Sequence, residues 1–125
     1  NRYNNEHFKE AAVIYARLSE KGYAPAQNNL GVLYRLGKGV IRDDEEAFNL
    51  FKDAEEQGSI SATFNVGYMY EHGLGVEKNE KKAIGFYEDA TWQGHNKAKE
   101  RLSKLKSISS LVKSKPVQSK RTKTQ

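Results

Sequence analysis

The chain has 125 residues, 37% of them hydrophobic and 30% charged, with a net charge of +5, which fits one small domain. It holds no cysteine, which excludes disulfides, thiolate nucleophiles and Cys-based zinc sites, and no run of about 18 apolar residues that could span a bilayer. The charge is divided: residues 1–98 hold 12 Lys and Arg against 15 Asp and Glu, whereas 99–125 hold 9 against Glu100, so a mildly acidic body leads into a basic end.

From about Asn5 to Lys21, the residues Ala11, Ile14, Tyr15 and Leu18 fall at helical spacing, which predicts a first helix with that inner face. Gly22 ends it. From Pro25 to Leu36 a second helix turns Ala26, Leu30, Leu33 and Tyr34 inward, with Gly37 as its stop. After a short loop, Asp43 is placed to cap a third helix, and Glu46, three residues on, completes a capping-box pattern. That helix runs to about Gln57 on an inner stripe of Ala47, Leu50, Phe51 and Ala54, and Gly58 follows. A fourth helix begins near Ile60 and turns in Ala62, Val66, Met69 and Tyr70. Asn79 caps a fifth, lined by Ala83, Phe86, Tyr87 and Ala90. His95 to about Lys106 supply a sixth through Ala98, Leu102 and Leu105. No strand pattern competes, so the expected class is all-α.

These helices repeat at an interval of 36 residues, seen in Gly22, Gly58 and Gly94, in Ala26, Ala62 and Ala98, and in Tyr15, Phe51 and Tyr87. Gly31 pairs with Gly67, Tyr34 with Tyr70, Gly37 with Gly73 and Gly39 with Gly75. A period of this length means stacked helix hairpins. The expected organisation is a solenoid over 1–106, made of a half repeat (1–22), full repeats 23–58 and 59–94, and a terminal helix 95–106. A basic, low-complexity and disordered tail would fill 107–125. The start at Asn1, without a signal-peptide pattern, reads as a soluble fragment and assigns no compartment.

The residues Ala26, Leu30, Gly31, Tyr34, Gly37, Gly39 and Val40, and again Ala62, Val66, Gly67, Tyr70, Gly73, Gly75 and Val76, resemble the Sel1-like repeat (SLR) family, a relative of the tetratricopeptide repeat. The second half of each unit fits as well, through Asp43, Glu46-Ala47, Leu50-Phe51 and Gln57-Gly58, then Asn79, Lys82-Ala83, Phe86-Tyr87 and Gln93-Gly94. Departures are Val66 for Leu and Glu55 or Thr91 for a second Ala. The resemblance implies a right-handed α/α solenoid of antiparallel hairpins. It implies roles in complex assembly, signalling regulation, membrane-protein quality control or bacterial host and envelope interactions. Some cysteine-rich bacterial relatives bind or hydrolyse β-lactams, an alternative whose disulfide pattern is missing here.

Little else in the chain suggests chemistry. Gly37-Lys38-Gly39 and Gly73-Leu74-Gly75 follow helices rather than strands and read as hairpin hinges, not phosphate cradles. His7, His72 and His95 have no metal-ligand spacing and read as surface residues. The run Asp43 to Glu46 sits where negative charge offsets the helix dipole. No catalytic residue, cofactor or metal is assigned.

The candidate site is instead the outward face of each first helix of a hairpin, helix A, which lines the concave groove in tetratricopeptide-like stacks. It comprises Asn28, Val32 and Arg35, then Phe64, Tyr68 and Glu71, then Lys97, Arg101 and Lys104. The aromatics either fill space between A helices or form a peptide-binding surface. Asn29 and Asn65 recur in register and either tie down turns or, with Lys97 and Arg101, meet a carboxylate or peptide backbone. Trp92 replaces Glu20 and Glu56 of the other units, and is either covered by the tail or exposed as a contact. The expected function is a non-enzymatic scaffold that binds another protein or peptide. A tail-driven contact with nucleic acid or anionic lipid is the further alternative.

Overall fold

The computed structural model describes residues 2–108, with side chains from residue 4 onward. Six helices account for most of these: α1 (Arg2–Glu20), α2 (Ala24–Leu36), α3 (Asp44–Glu56), α4 (Ile60–His72), α5 (Glu80–Trp92) and α6 (96–108). No strand occurs among the described residues. The helices α2 with α3, and α4 with α5, form the tightest pairs, and α1 and α3 pack on the helix that follows each. Helices α2, α4 and α6 are thus A helices, and α1, α3 and α5 are B helices. The first helix starts earlier than its apolar spacing predicts, at Arg2. The last runs through residues 107 and 108, and the rest of the expected tail, 109–125, lies outside the described residues.

Local chemistry sets each hairpin. The α2 and α4 helices end on Gly37 and Gly73, at φ 65° and 66°, whose N–H groups bond to the Leu33 and Met69 carbonyls. Glycine takes this left-handed conformation without the steric cost that a Cβ imposes. Two residues on, Gly39 and Gly75 have positive φ as well, and a Cβ there would stand 2.4 Å from the Phe8 carbonyl oxygen and 2.3 Å from that of Asp44. Each loop therefore lies directly on the backbone of the preceding helix B.

Asp43 and Asn79 cap α3 and α5 by accepting the N–H of Glu46 and of Lys82, each at 3.0 Å. The capping box expected at Asp43 is only half formed. Its own N–H donates to the Tyr34 carbonyl at 2.9 Å, as that of Asn79 does to Tyr70, so the loop return takes the proton that Glu46 would have claimed.

Ala47, Phe51, Val66 and Met69 form one core cluster, Ala83, Tyr87, Ala90, Ala98 and Leu105 another, and Ala12, Leu30, Leu33 and Leu50 a third. Gly31 and Gly67 let the Phe51 and Tyr87 rings rest on the A-helix backbone. The inner face of α1 differs from expectation: Ile14 is 55% and Leu18 36% exposed, and Ala12 is buried instead. Leu50, the counterpart of Ile14, is buried against Ala12 of the preceding helix B, whereas nothing among the described residues precedes α1.

Candidate functional site

The A helices project residues at i, i+4 and i+7, which lie along one helical face. The structure joins the three stripes edge to edge. Between α2 and α4, Asn65 donates from Nδ2 to Asn28 Oδ1 at 2.8 Å, and the Arg35 guanidinium lies 5.0 Å from the Tyr68 ring centre. Between α4 and α6, Phe64 stacks on His95 at 4.6 Å and 14°, and Arg101 bonds Glu71. Val32 is half-buried against the cluster of Phe51 and Val66. Lys97, Lys104 and Asn29 are exposed.

The two aromatics divide between the roles that sequence leaves open. Phe64 is largely packing, since it touches the Tyr87 ring at 5.5 Å as well as His95. Tyr68 packs on none of the core clusters. It is flanked by Arg35, by His72 at 4.4 Å and by Phe64 at 6.4 Å.

Glu71 was expected on the open face and is instead 7% exposed. Its carboxylate accepts the Tyr87 hydroxyl at 2.7 Å and the Arg101 guanidinium, and His72 Nε2 lies 3.6 Å away. Burial alone would raise its pKa. The hydrogen bonds from Arg101 and Tyr87, with the charges of Arg101 and His72, outweigh that and hold it below the ordinary value. The same hydrogen bond to Glu71 raises Arg101. Burial, then the bond to Glu71, raises Tyr87. Arg101 is therefore committed to the fold, as one end of a strut from α6 to α4.

His95, expected at the surface, caps α6: its Nδ1 accepts the Ala98 N–H at 3.1 Å, which requires the neutral ring. Burial and the nearby charge of Lys97 lower its pKa accordingly. The available signal was its register with Ser59, whose Oγ accepts the Ala62 N–H. Neither the Glu71 strut nor the bond from Gln57 Nε2 to Gln27 Oε1 at 2.7 Å has a local sequence signal, because each joins residues about 30 apart.

Trp92 lies at the end of α5, on the helix B side, and is 90% exposed. The acidic run behaves as capping charge, with Asp43 on the helix end and Asp44 bonded to Arg42. Among the described residues no group of three His, Asp or Glu is placed to hold a metal ion, and no helix is long and apolar enough to cross a membrane.

The family model of the Sel1 repeat matches residues 24–59 and 60–95. Among solved structures, a protective antigen of uropathogenic Escherichia coli with an SLR fold is 34% identical over 81% of this chain, with a TM-score of 0.79. The chain spans 22% of that protein's length. A Sel1 repeat protein from Oxalobacter formigenes is 37% identical over 72% of this chain and 68% of its own, with a TM-score of 0.69. Cysteine-rich protein B of Helicobacter pylori is 22% identical over 81% of this chain and 90% of its own, with a TM-score of 0.67, a likeness of fold. No curated protein matches.

Proposed function

Because the chain belongs to the Sel1 repeat family, whose repeats are in general protein-interaction modules, we propose that it is a non-enzymatic scaffold that binds a partner protein or peptide along the face of its A helices. The observation that carries this reading is the setting of Tyr68. It is an aromatic ring outside the core, braced by Arg35, His72 and Phe64 and bordered by the amide pair Asn28–Asn65. Tyr and Arg are the residues that most often dominate interface energy. A ring already held by its neighbours loses little further freedom on binding.

The exposed Lys97 and Lys104 flank the same face, while Glu71 and Arg101 serve to hold α6 against α4. The site residues for a partner are therefore Asn28, Val32, Arg35, Asn65, Tyr68, Lys97 and Lys104, with Phe64 as their support.

The test is Tyr68→Ala in the whole chain, checked for an unaltered circular-dichroism spectrum and titrated calorimetrically against the partner recovered on the immobilised protein. Affinity should fall by about 2 kcal/mol. Unchanged affinity, together with loss of binding on charge reversal at Glu45 or Asp53 of α3, would move recognition to the helix B side.

A further inference from the structure

Charge is unevenly placed in the solenoid. The three A helices hold six Lys or Arg against two Asp or Glu, five of the six on α6, whereas the three B helices hold six against twelve, with six of the twelve on α3. On the candidate face itself four basic residues meet two carboxylates: Glu71 is buried and already neutralised by Arg101, while Glu100, in register with Asn28 and Phe64, is exposed beside Lys97 and Lys104. Arg35, Lys97 and Lys104 have no ion-pair partner among the described residues, so their charge is presented to whatever approaches.

On the reading that the A-helix face is the binding surface, we infer that its occupant is an acidic peptide segment of a partner protein, whose carboxylates meet Lys97, Lys104 and Arg35 and whose apolar side chains pack on Tyr68 and Val32. Complementary potentials of this kind steer encounter and exclude partners of the wrong charge. Residues 1–98 hold 12 Lys and Arg against 15 Asp and Glu, so the basic stretch of the face is short and a long polyanion such as nucleic acid would run beyond it onto repelling carboxylates. A short acidic segment stays within the favourable region. The amide pair Asn28–Asn65 and the apolar surface of Val32 and Tyr68 add contacts suited to a peptide backbone and side chains rather than to phosphates.

The experiment is selection of a random twelve-residue displayed-peptide library on the immobilised full chain, followed by calorimetry with a synthetic copy of the most enriched peptide. The expected result is enrichment of Asp and Glu over the input library. Affinity should fall at least tenfold when Lys97→Glu and Lys104→Glu are combined, and also when the acidic residues of the peptide are replaced by their amides. Enriched peptides that depend on Tyr68 but carry no acidic excess would overturn the charge inference and leave the face intact as the binding surface. Acidic peptides indifferent to both Tyr68→Ala and the lysine reversals would overturn both, as would a selection no richer than that on a blank surface. Competition by duplex DNA with the same sensitivity to the lysine reversals would overturn the commitment to a peptide.

Discussion

One substitution, glycine to alanine, should change stability in opposite directions at three helical positions. At Gly31 an added Cβ would lie 2.6 Å from Cε1 and 2.8 Å from Cδ1 of Phe51, and at Gly67 it would lie 2.9 Å from Cε1 of Tyr87. Carbon atoms rest at about 3.5–4.0 Å, so each ring must retreat by roughly 1 Å. Neither ring has room to do so, since both are fully buried. Overpacking of this kind costs about 1–3 kcal/mol, and the better helix propensity of Ala returns about 1 kcal/mol. The net expectation at Gly31 is a loss of about 0–2 kcal/mol, toward the upper end because its contacts are the shorter of the two. At Gly85, in α5, nothing lies within 4 Å of the new atom and φ is not positive. There the substitution should stabilise by about 0.5–1 kcal/mol. Two variants of identical chemistry should thus differ by about 2 kcal/mol, which for a domain of this size separates their melting temperatures by roughly 10 °C. Urea and thermal unfolding followed by circular dichroism read this directly. A Gly31→Ala protein as stable as Gly85→Ala would refute the packing argument.

Arg101→Ala leaves Glu71 buried with only the Tyr87 hydroxyl and His72 as partners, and should cost about 2 kcal/mol in urea unfolding. An unaltered midpoint would mean that the strut contributes nothing. His95 has a folded-state pKa below its ordinary value of 6.5. The unfolded chain therefore takes up the proton first on acidification, and the cap's contribution is complete above pH 6.5 and lost as pH falls below it. Melting temperatures between pH 7.5 and 5 should fall less steeply in His95→Asn, which can still cap but cannot titrate; equal slopes would exclude His95 as the source. Thr91 has a buried hydroxyl with no hydrogen-bond partner among the described residues. Thr91→Ala, which restores the alanine of the repeat pattern, should therefore raise stability by about 1 kcal/mol, and a loss in thermal melts would show that the hydroxyl is satisfied.

What the sequence determined by itself is everything that recurs at 36 residues. Helix spacing, the caps at Asp43 and Asn79, the left-handed stops at Gly37 and Gly73, and the small residues at Gly31 and Gly67 are local requirements of one hairpin. Each repetition states them again, so they can be read without a partner in view. The alignment of Asn28, Val32 and Arg35 with Phe64, Tyr68 and Glu71 along one stripe was legible for the same reason, since stripe positions follow from helical period. Tertiary structure alone decided what happens between units. It buried Glu71 under Arg101 and Tyr87, gave His95 the task of a cap, and divided Phe64 from Tyr68 as support and surface. It left Ile14 and Leu18 open on α1, although their spacing is that of buried residues. The physical reason is that burial is a property of neighbours. An apolar or charged residue at the right phase of a helix meets its fate only when the next helix packs on it, and that contact joins residues too far apart in the chain for any local pattern to record.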